Sequence, residues 1–154
     1  MRKLLRLALF LIALVIVAVG LLLLRNYEMD AGVHAIKEEN GIKALGKLMP
    51  LAYLGDSTAQ MIVGSTYAYG MNGVSQSDTK AIYWFRRCGR GAIGARISDD
   101  GVDPAAPYEL SVAKAYANGS EGVKADPIKS KKWLVLAAKS GSKDARAMLA
   151  ASRP

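Results

Sequence analysis

Two eighteen-residue stretches share one pattern: YAYGMNGVSQSDTKAIYW from Tyr67 to Trp84, and YANGSEGVKADPIKSKKW from Tyr116 to Trp133. Tyr67 and Tyr116, Gly70 and Gly119, Gly73-Val74 and Gly122-Val123, Lys80 and Lys129, and Trp84 and Trp133 are each 49 positions apart. A recurrence at fixed offset is the signature of a repeat array, and a single unit of such an array cannot bury its own apolar face. In the second copy Asp126-Pro127 reads as a helix start, with a capping oxygen followed by proline at the first helical position. The helix that follows ends at Gly141, a suitable left-handed cap. In the first copy Ser77 takes the capping position. Before each helix lies the turn G-x-x-G-V, and before each turn a further helix carrying Val63-Gly64 and Tyr67, or Val112-Ala113 and Tyr116. The small residues at 64 and 113 allow close helix approach. Each copy is therefore expected to be a helix, a glycine turn and a second helix, and two copies must stack.

The rest of the chain follows the same period. VHAIKEEN and GIKALGKLMPLAYLG carry apolar residues three and four apart, with Asn40-Gly41 and Gly55 as stop signals. Pro50 is expected to kink or divide its helix. DSTAQMIVGSTYAYG opens on capping residues and closes on Gly70. No sustained two-residue alternation marks a strand, so the fold class is all-α.

From Leu7 to Leu24 the chain carries no charge. As a helix this run is roughly 27 Å long, close to the hydrocarbon thickness of a bilayer. Residues 1–25 read as a membrane anchor. The alternative is a signal peptide cut near Ala18-Val19-Gly20, although four leucines follow that site. Arg2, Lys3 and Arg6 precede the run, while Arg25 is soon met by Glu28 and Asp30. The positive-inside rule then puts the N-terminus in the cytoplasm and the bulk of the chain outside it, which in a bacterium is the periplasm. Residues 26–42 are expected to be a linker or first helix.

The formal net charge is +8, but Arg2, Lys3, Arg6 and Arg25 flank the apolar run, and without them 17 basic residues face 13 acidic ones. That is too weak a bias for a phosphate-tracking nucleic-acid surface. With one cysteine, Cys88, and one histidine, His34, neither an internal disulfide nor a Cys/His metal set can form.

The pattern G-x-x-G-V…K-A-x-x-W followed by A-A-K-S-G resembles the Sel1-like repeat, a relative of tetratricopeptide helical hairpins. The second copy fits through Trp133, Ala137, Ala138 and Gly141, with Ser130 in place of the usual alanine; the first keeps Lys80, Ala81 and Trp84 but has Cys88-Gly89 where Ala-Ala is expected. Ala52, Gly55 and Ala59 line up with Ala138, Gly141 and Ala145 as a partial third copy. Together with the apolar run, the resemblance implies a transmembrane helix followed by a short Sel1-like α-α array over residues 43–151. Such repeats usually recur every mid-thirties of residues, so the offset of 49 implies an insertion of about a dozen, near 92–106.

Sharper motifs are outweighed by their contexts. GRGAIG at 89–94 matches a dinucleotide fingerprint, but it follows a helix and leads into a loop. Asp99, Asp100 and Asp103 lack calcium-loop spacing. Cys88 has Arg86, Arg87 and Arg90 near it in sequence, yet it occupies the core place of Ala137. Asn118-Gly-Ser falls inside the repeat's own turn, and the tryptophans read as core. The chain is not expected to be an enzyme, and no cofactor or metal is implied.

The expected role is protein binding. The resemblance implies an interaction module in the bacterial inner membrane, single-pass and exposed to the periplasm. In its most concrete form this is an immunity protein that inhibits a secreted toxin such as a type VI secretion phospholipase effector; a scaffold for an envelope complex is the alternative. Candidate partner-binding residues are Asp99, Asp100 and Asp103 on the insertion, with Arg86, Arg87 and Lys114 near the repeat faces.

Overall fold

A computed structural model describes residues 2–71, 73–90 and 101–152. Among them lie seven helices and no strand: α1 (Arg2–Lys37), α2 (Gly41–Tyr53), α3 (Ser57–Tyr69), α4 (Asp78–Arg90), α5 (Ala106–Asn118), α6 (Pro127–Lys139) and α7 (Lys143–Ala151). Successive helices pack as neighbours along the chain, and α5 returns against both α3 and α4. The all-α array read from the sequence is the fold.

The apolar helix does not end where its apolar run ends. α1 continues unbroken to Lys37, so the stretch expected as a linker or first helix is mostly the continuation of the same helix. Its C-terminal part lies antiparallel to α2. Arg25 pairs with Asp56 at 2.6 Å, Lys47 with Glu28 at 3.1 Å and Lys43 with Glu38 at 3.3 Å, while Gly32 sits directly under the Leu48 side chain. The lysine beside Glu38 holds that carboxyl below its ordinary value.

Pro50 does not divide α2, which runs undivided to Tyr53. The carbonyl that loses its partner belongs to Gly46, which is exposed, so it is left open to solvent rather than buried unpaired.

The two repeated stretches fold alike. Gly70 and Gly119 close α3 and α5 in the left-handed region, at φ 66° and 67°, where a side chain would also press on the returning strand of the turn. The Ser77 N–H then donates to Tyr67 O at 2.9 Å, and the Asp126 N–H to Tyr116 O at 2.8 Å. The Lys80 ammonium lies 4.8 Å from the Tyr67 ring centre, and Lys129 lies 5.1 Å from that of Tyr116. This cation–π pair accounts for tyrosine and lysine recurring together in both copies.

Two apolar clusters are joined through α4. Trp84 belongs to the first, with Met29, Leu48, Leu51 and Val63, and packs edge-on to Tyr53 at 5.1 Å. Phe85, the next residue, belongs to the second, stacking on Tyr108 at 5.5 Å and meeting Trp133 edge-on at 6.3 Å. A β-carbon at position 64 would lie 2.7 Å from the Phe85 ring, so only glycine allows α3 and α4 to approach this closely. The copies are also tied by hydrogen bonds. The Tyr116 hydroxyl donates to Ala68 O at 2.9 Å, and Gln76 Nε2 reaches both that hydroxyl and Ala68 O.

This alternation gives the array two edges. The near edge holds the end of the apolar run, the α2–α3 turn, residues 101–105 before α5 and the α6–α7 turn; the far edge holds the glycine turns. Contacts run along the near edge from one element to the next. Arg87 Nη2 donates to Tyr53 O at 3.1 Å, and the Asp103 N–H donates to Ser140 O at 2.7 Å.

Trp133 is fully buried. Trp133→Ala is expected to cost about 3–5 kcal/mol, and Tyr116→Phe, which removes the hydroxyl's bonds to Ala68 and Gln76, about 1–2 kcal/mol. Equilibrium denaturation of the detergent-solubilised chain, followed by helical circular dichroism, checks both.

Candidate protein-binding groove

α6 begins where Asp126 accepts the N–H groups of Ile128 and Lys129 at 3.0 and 2.9 Å, with Pro127 in the first turn. One face of the helix buries Ser130, Trp133, Leu134 and Ala137. The other presents Ile128, Lys131, Val135 and Lys139 at helical spacing to solvent. Ile128 is 84% exposed, more than any other large apolar side chain among the described residues. Between this face and α4 lies an open groove of about 670 Å³. Ile82 and Leu136 are its half-buried apolar residues, Pro127, Ile128 and Val135 extend it, and Lys131, Lys132 and Lys139 edge it. Lys132 is occupied by Asp78 at 2.5 Å. Lys131 and Lys139 have no carboxylate partner among the described residues. An apolar trough with unpaired ammonium groups suits a segment that offers apolar side chains flanked by carboxylates.

The hairpins beneath this groove have a recognisable sequence. The Sel1 repeat family matches residues 57–87 and 104–142, which correspond to α3 with most of α4 and to α5 with α6 and its closing turn. Over these residues both hairpins match the Sel1 repeat. Stacked helical repeats of this kind serve as protein–protein interaction modules. No curated protein and no solved structure is significantly similar to the chain. The upstream α2 lies outside the matched residues, yet its junction with the first Sel1 repeat has the closing turn's geometry. Gly55 and Asp56 donate to Ala52 and Leu51, as Gly141 and Ser142 donate to Ala138 and Ala137. Asp56 and Ser142 then cap α3 and α7 through Ala59 and Ala145.

The residues expected on the partner surface are dispersed. Asp99 and Asp100, and most of the dinucleotide-like motif, lie outside the described residues. Asp103 is half-buried, its Oδ1 accepting the Ala105 N–H at 2.8 Å, so its carboxylate closes the turn that leads into α5. Arg86 is exposed and Arg87 half-buried, both on the near edge, while Lys114 stands exposed on α5. None of the four described ones lines the groove. A helical wheel over residues 127–139 carries the missed signal, because Ile128 and Val135 fall opposite Trp133 and Leu134.

Cys88 is buried, its Sγ 3.1 Å from Ser57 O. Burial pushes the thiol up from its ordinary value despite Arg86 and Arg87 before it and Arg90 after it in sequence, and the neighbouring Tyr108 is pushed up to about 12, chiefly by its contact with Cys88. This is the environment of an inert core thiol. The folded protein is expected to resist maleimide alkylation at neutral pH and to react stoichiometrically once denatured, as read by intact mass.

A second buried polar position was missed. Gln60 and Glu109 stand 49 apart, at the same place in the two repeats, and both are buried. Gln60 Nε2 donates to Ala52 O at 2.8 Å, whereas neither Glu109 carboxyl oxygen makes a hydrogen bond. Desolvation raises the Glu109 pKa above the ordinary 4.5, opposed by nearby Ser140 and Arg86 and reinforced by Asp103. The folded state therefore keeps this proton where the unfolded chain has lost it, so stability falls as pH rises from 4.5 toward the raised value. Glu109→Gln is expected to stabilise the protein by about 1–2 kcal/mol at neutral pH and by little below pH 4.5, as read by thermal denaturation across that range.

Proposed function

We propose that this chain is a membrane-anchored binding module that captures a protein partner through the groove between α4 and α6. The observation that carries the reading is the lysine-edged apolar trough on a Sel1 repeat pair. The apolar part of α1 is the anchor, and the basic residues before it favour a bacterial inner-membrane orientation with the repeats in the periplasm. In its most concrete form the module is an immunity protein, which binds and inhibits a secreted toxin such as a type VI secretion phospholipase effector. Inhibition by occlusion requires of the binder only a rigid surface held where the toxin arrives. Lys114 and the insertion bearing Asp99 and Asp100 extend the contact beyond the groove.

The test is affinity capture from solubilised native envelope with the full-length chain, with Lys131→Glu/Lys139→Glu as the comparison. One stoichiometric partner that loses a toxic or lipase activity on binding, and binds the charge-reversed chain at least ~10-fold more weakly, is the expected outcome; a tenfold loss corresponds to about 1.4 kcal/mol. Several weakly held envelope proteins, none of them inhibited, would replace the immunity reading with that of a scaffold. Unchanged binding by the charge-reversed chain would remove the groove from the reading.

A further inference from the structure

The near edge of the array combines three features. First, it is level with the end of the apolar run. The antiparallel register of α1 and α2, fixed by the Arg25–Asp56, Glu28–Lys47 and Glu38–Lys43 pairs and by Gly32 under Leu48, sets the α2–α3 turn beside Arg25, the first charge after Leu24. Second, it exposes apolar and aromatic side chains at that level. Leu54 is 80% exposed, and Tyr53, its chain neighbour, and Tyr27, two residues past Arg25 on α1, are exposed too. Third, it is basic. Arg86 is exposed on the near end of α4, and Lys143 and Arg146 are exposed in and after the α6–α7 turn, where Arg146 Nη2 also caps Gly141 O at 2.7 Å. Of the described near-edge carboxylates, Asp56 and Glu28 are paired with Arg25 and Lys47, Asp103 accepts the Ala105 N–H and Glu109 is buried, which leaves Asp30 and Asp144 exposed against Arg86, Lys143 and Arg146. The far edge has no such bias, since Glu38, Glu39, Asp78, Glu121 and Asp126 alternate there with lysines.

We propose that this edge is a lipid-contacting surface. Leu54, Tyr27 and Tyr53 enter the interfacial zone of the bilayer that α1 spans, and Arg86, Lys143 and Arg146 contact anionic headgroups. The inference rests on the anchoring stated above and adds to it a specific face. Aromatic side chains favour the headgroup level, and basic side chains are drawn to an anionic lipid surface. The unbroken helix between span and array supplies the constraint, because the domain reaches the membrane without a flexible linker. The glycine turns then point into the aqueous compartment.

The experiment uses the full-length chain carrying Cys88→Ala, with a nitroxide attached after either Leu54→Cys or Ser75→Cys, the latter on the exposed far-edge turn. Reconstitution is into phosphatidylglycerol–phosphatidylcholine vesicles and, separately, into phosphatidylcholine alone. Alkaline carbonate extraction reports anchoring, and power saturation with oxygen and a nickel chelate reports the depth of the label. Carbonate-resistant protein whose label at 54 has a severalfold higher oxygen-to-nickel accessibility ratio than the label at 75 is the expected result. In mixed vesicles that ratio is expected to fall with Arg86→Glu/Arg146→Glu. Carbonate-resistant protein with equal ratios at the two positions overturns the lipid-contacting edge and leaves the anchor standing. Extraction by carbonate overturns the anchor and the edge together. A high ratio at 54 that ignores both lipid charge and the arginine substitutions overturns the headgroup contact.

Discussion

One aromatic ring joins the two halves of this protein. Phe85 lies against Gly64 within its own hairpin and meets Trp133 of the next edge-on, while its neighbour Trp84 closes the cluster shared by α1, α2 and α3. A two-helix hairpin exposes too much apolar surface to hold its shape in water, so each hairpin needs a neighbour's side chains to complete its core. Consecutive large aromatics on α4 point to opposite neighbours and make that helix the common wall. Gly64 sets the distance, because any side chain there would push the ring outward and loosen both sides at once. The tyrosine–lysine pairs and the Tyr116 bond to Ala68 then fix how the hairpins turn against one another.

Most of this was legible in the sequence, because repetition reports packing. The glycine turns, the helix caps at Asp126 and Ser77, the buried tryptophans and the small residues at 64 and 113 are each required by local geometry, so each recurs or has a counterpart. The reading failed where a local rule met an unusual surrounding. Pro50 should break a helix, but the carbonyl it deprives belongs to an exposed glycine. The end of α1 could not be read from hydropathy, because Arg25 ends the apolar run without ending the helix. Glu109 was passed over because a glutamate in a repeat helix reads as surface, and only its register with Gln60 reveals a buried place.

The groove was less legible than the fold for a related reason. Its residues lie on two helices far apart in sequence, and its apolar members interleave with lysines. Ile82 and Val135 look like ordinary amphipathic positions until the two second helices of the repeats are set side by side. The charged residues singled out from sequence stood out by density, and of the four that are described none lines the groove. Asp103 closes a turn and Arg87 binds a backbone carbonyl, so half-buried charge here holds the chain together.

The α2–α3 and α6–α7 junctions share their hydrogen bonds donor for donor, three residues joining one helix to the next in each. Such a joint is a standard coupling: whatever ends in one can be followed by whatever begins after the other. The array can therefore gain or lose a whole hairpin at either coupling without any new interface. Between α4 and α5 the coupling has been replaced by a longer connection, anchored where Asp103 and Val102 meet the α6–α7 turn. The middle of the protein is thus the one place where length has been exchanged for individuality, and divergence between related chains should concentrate there while the two couplings stay fixed.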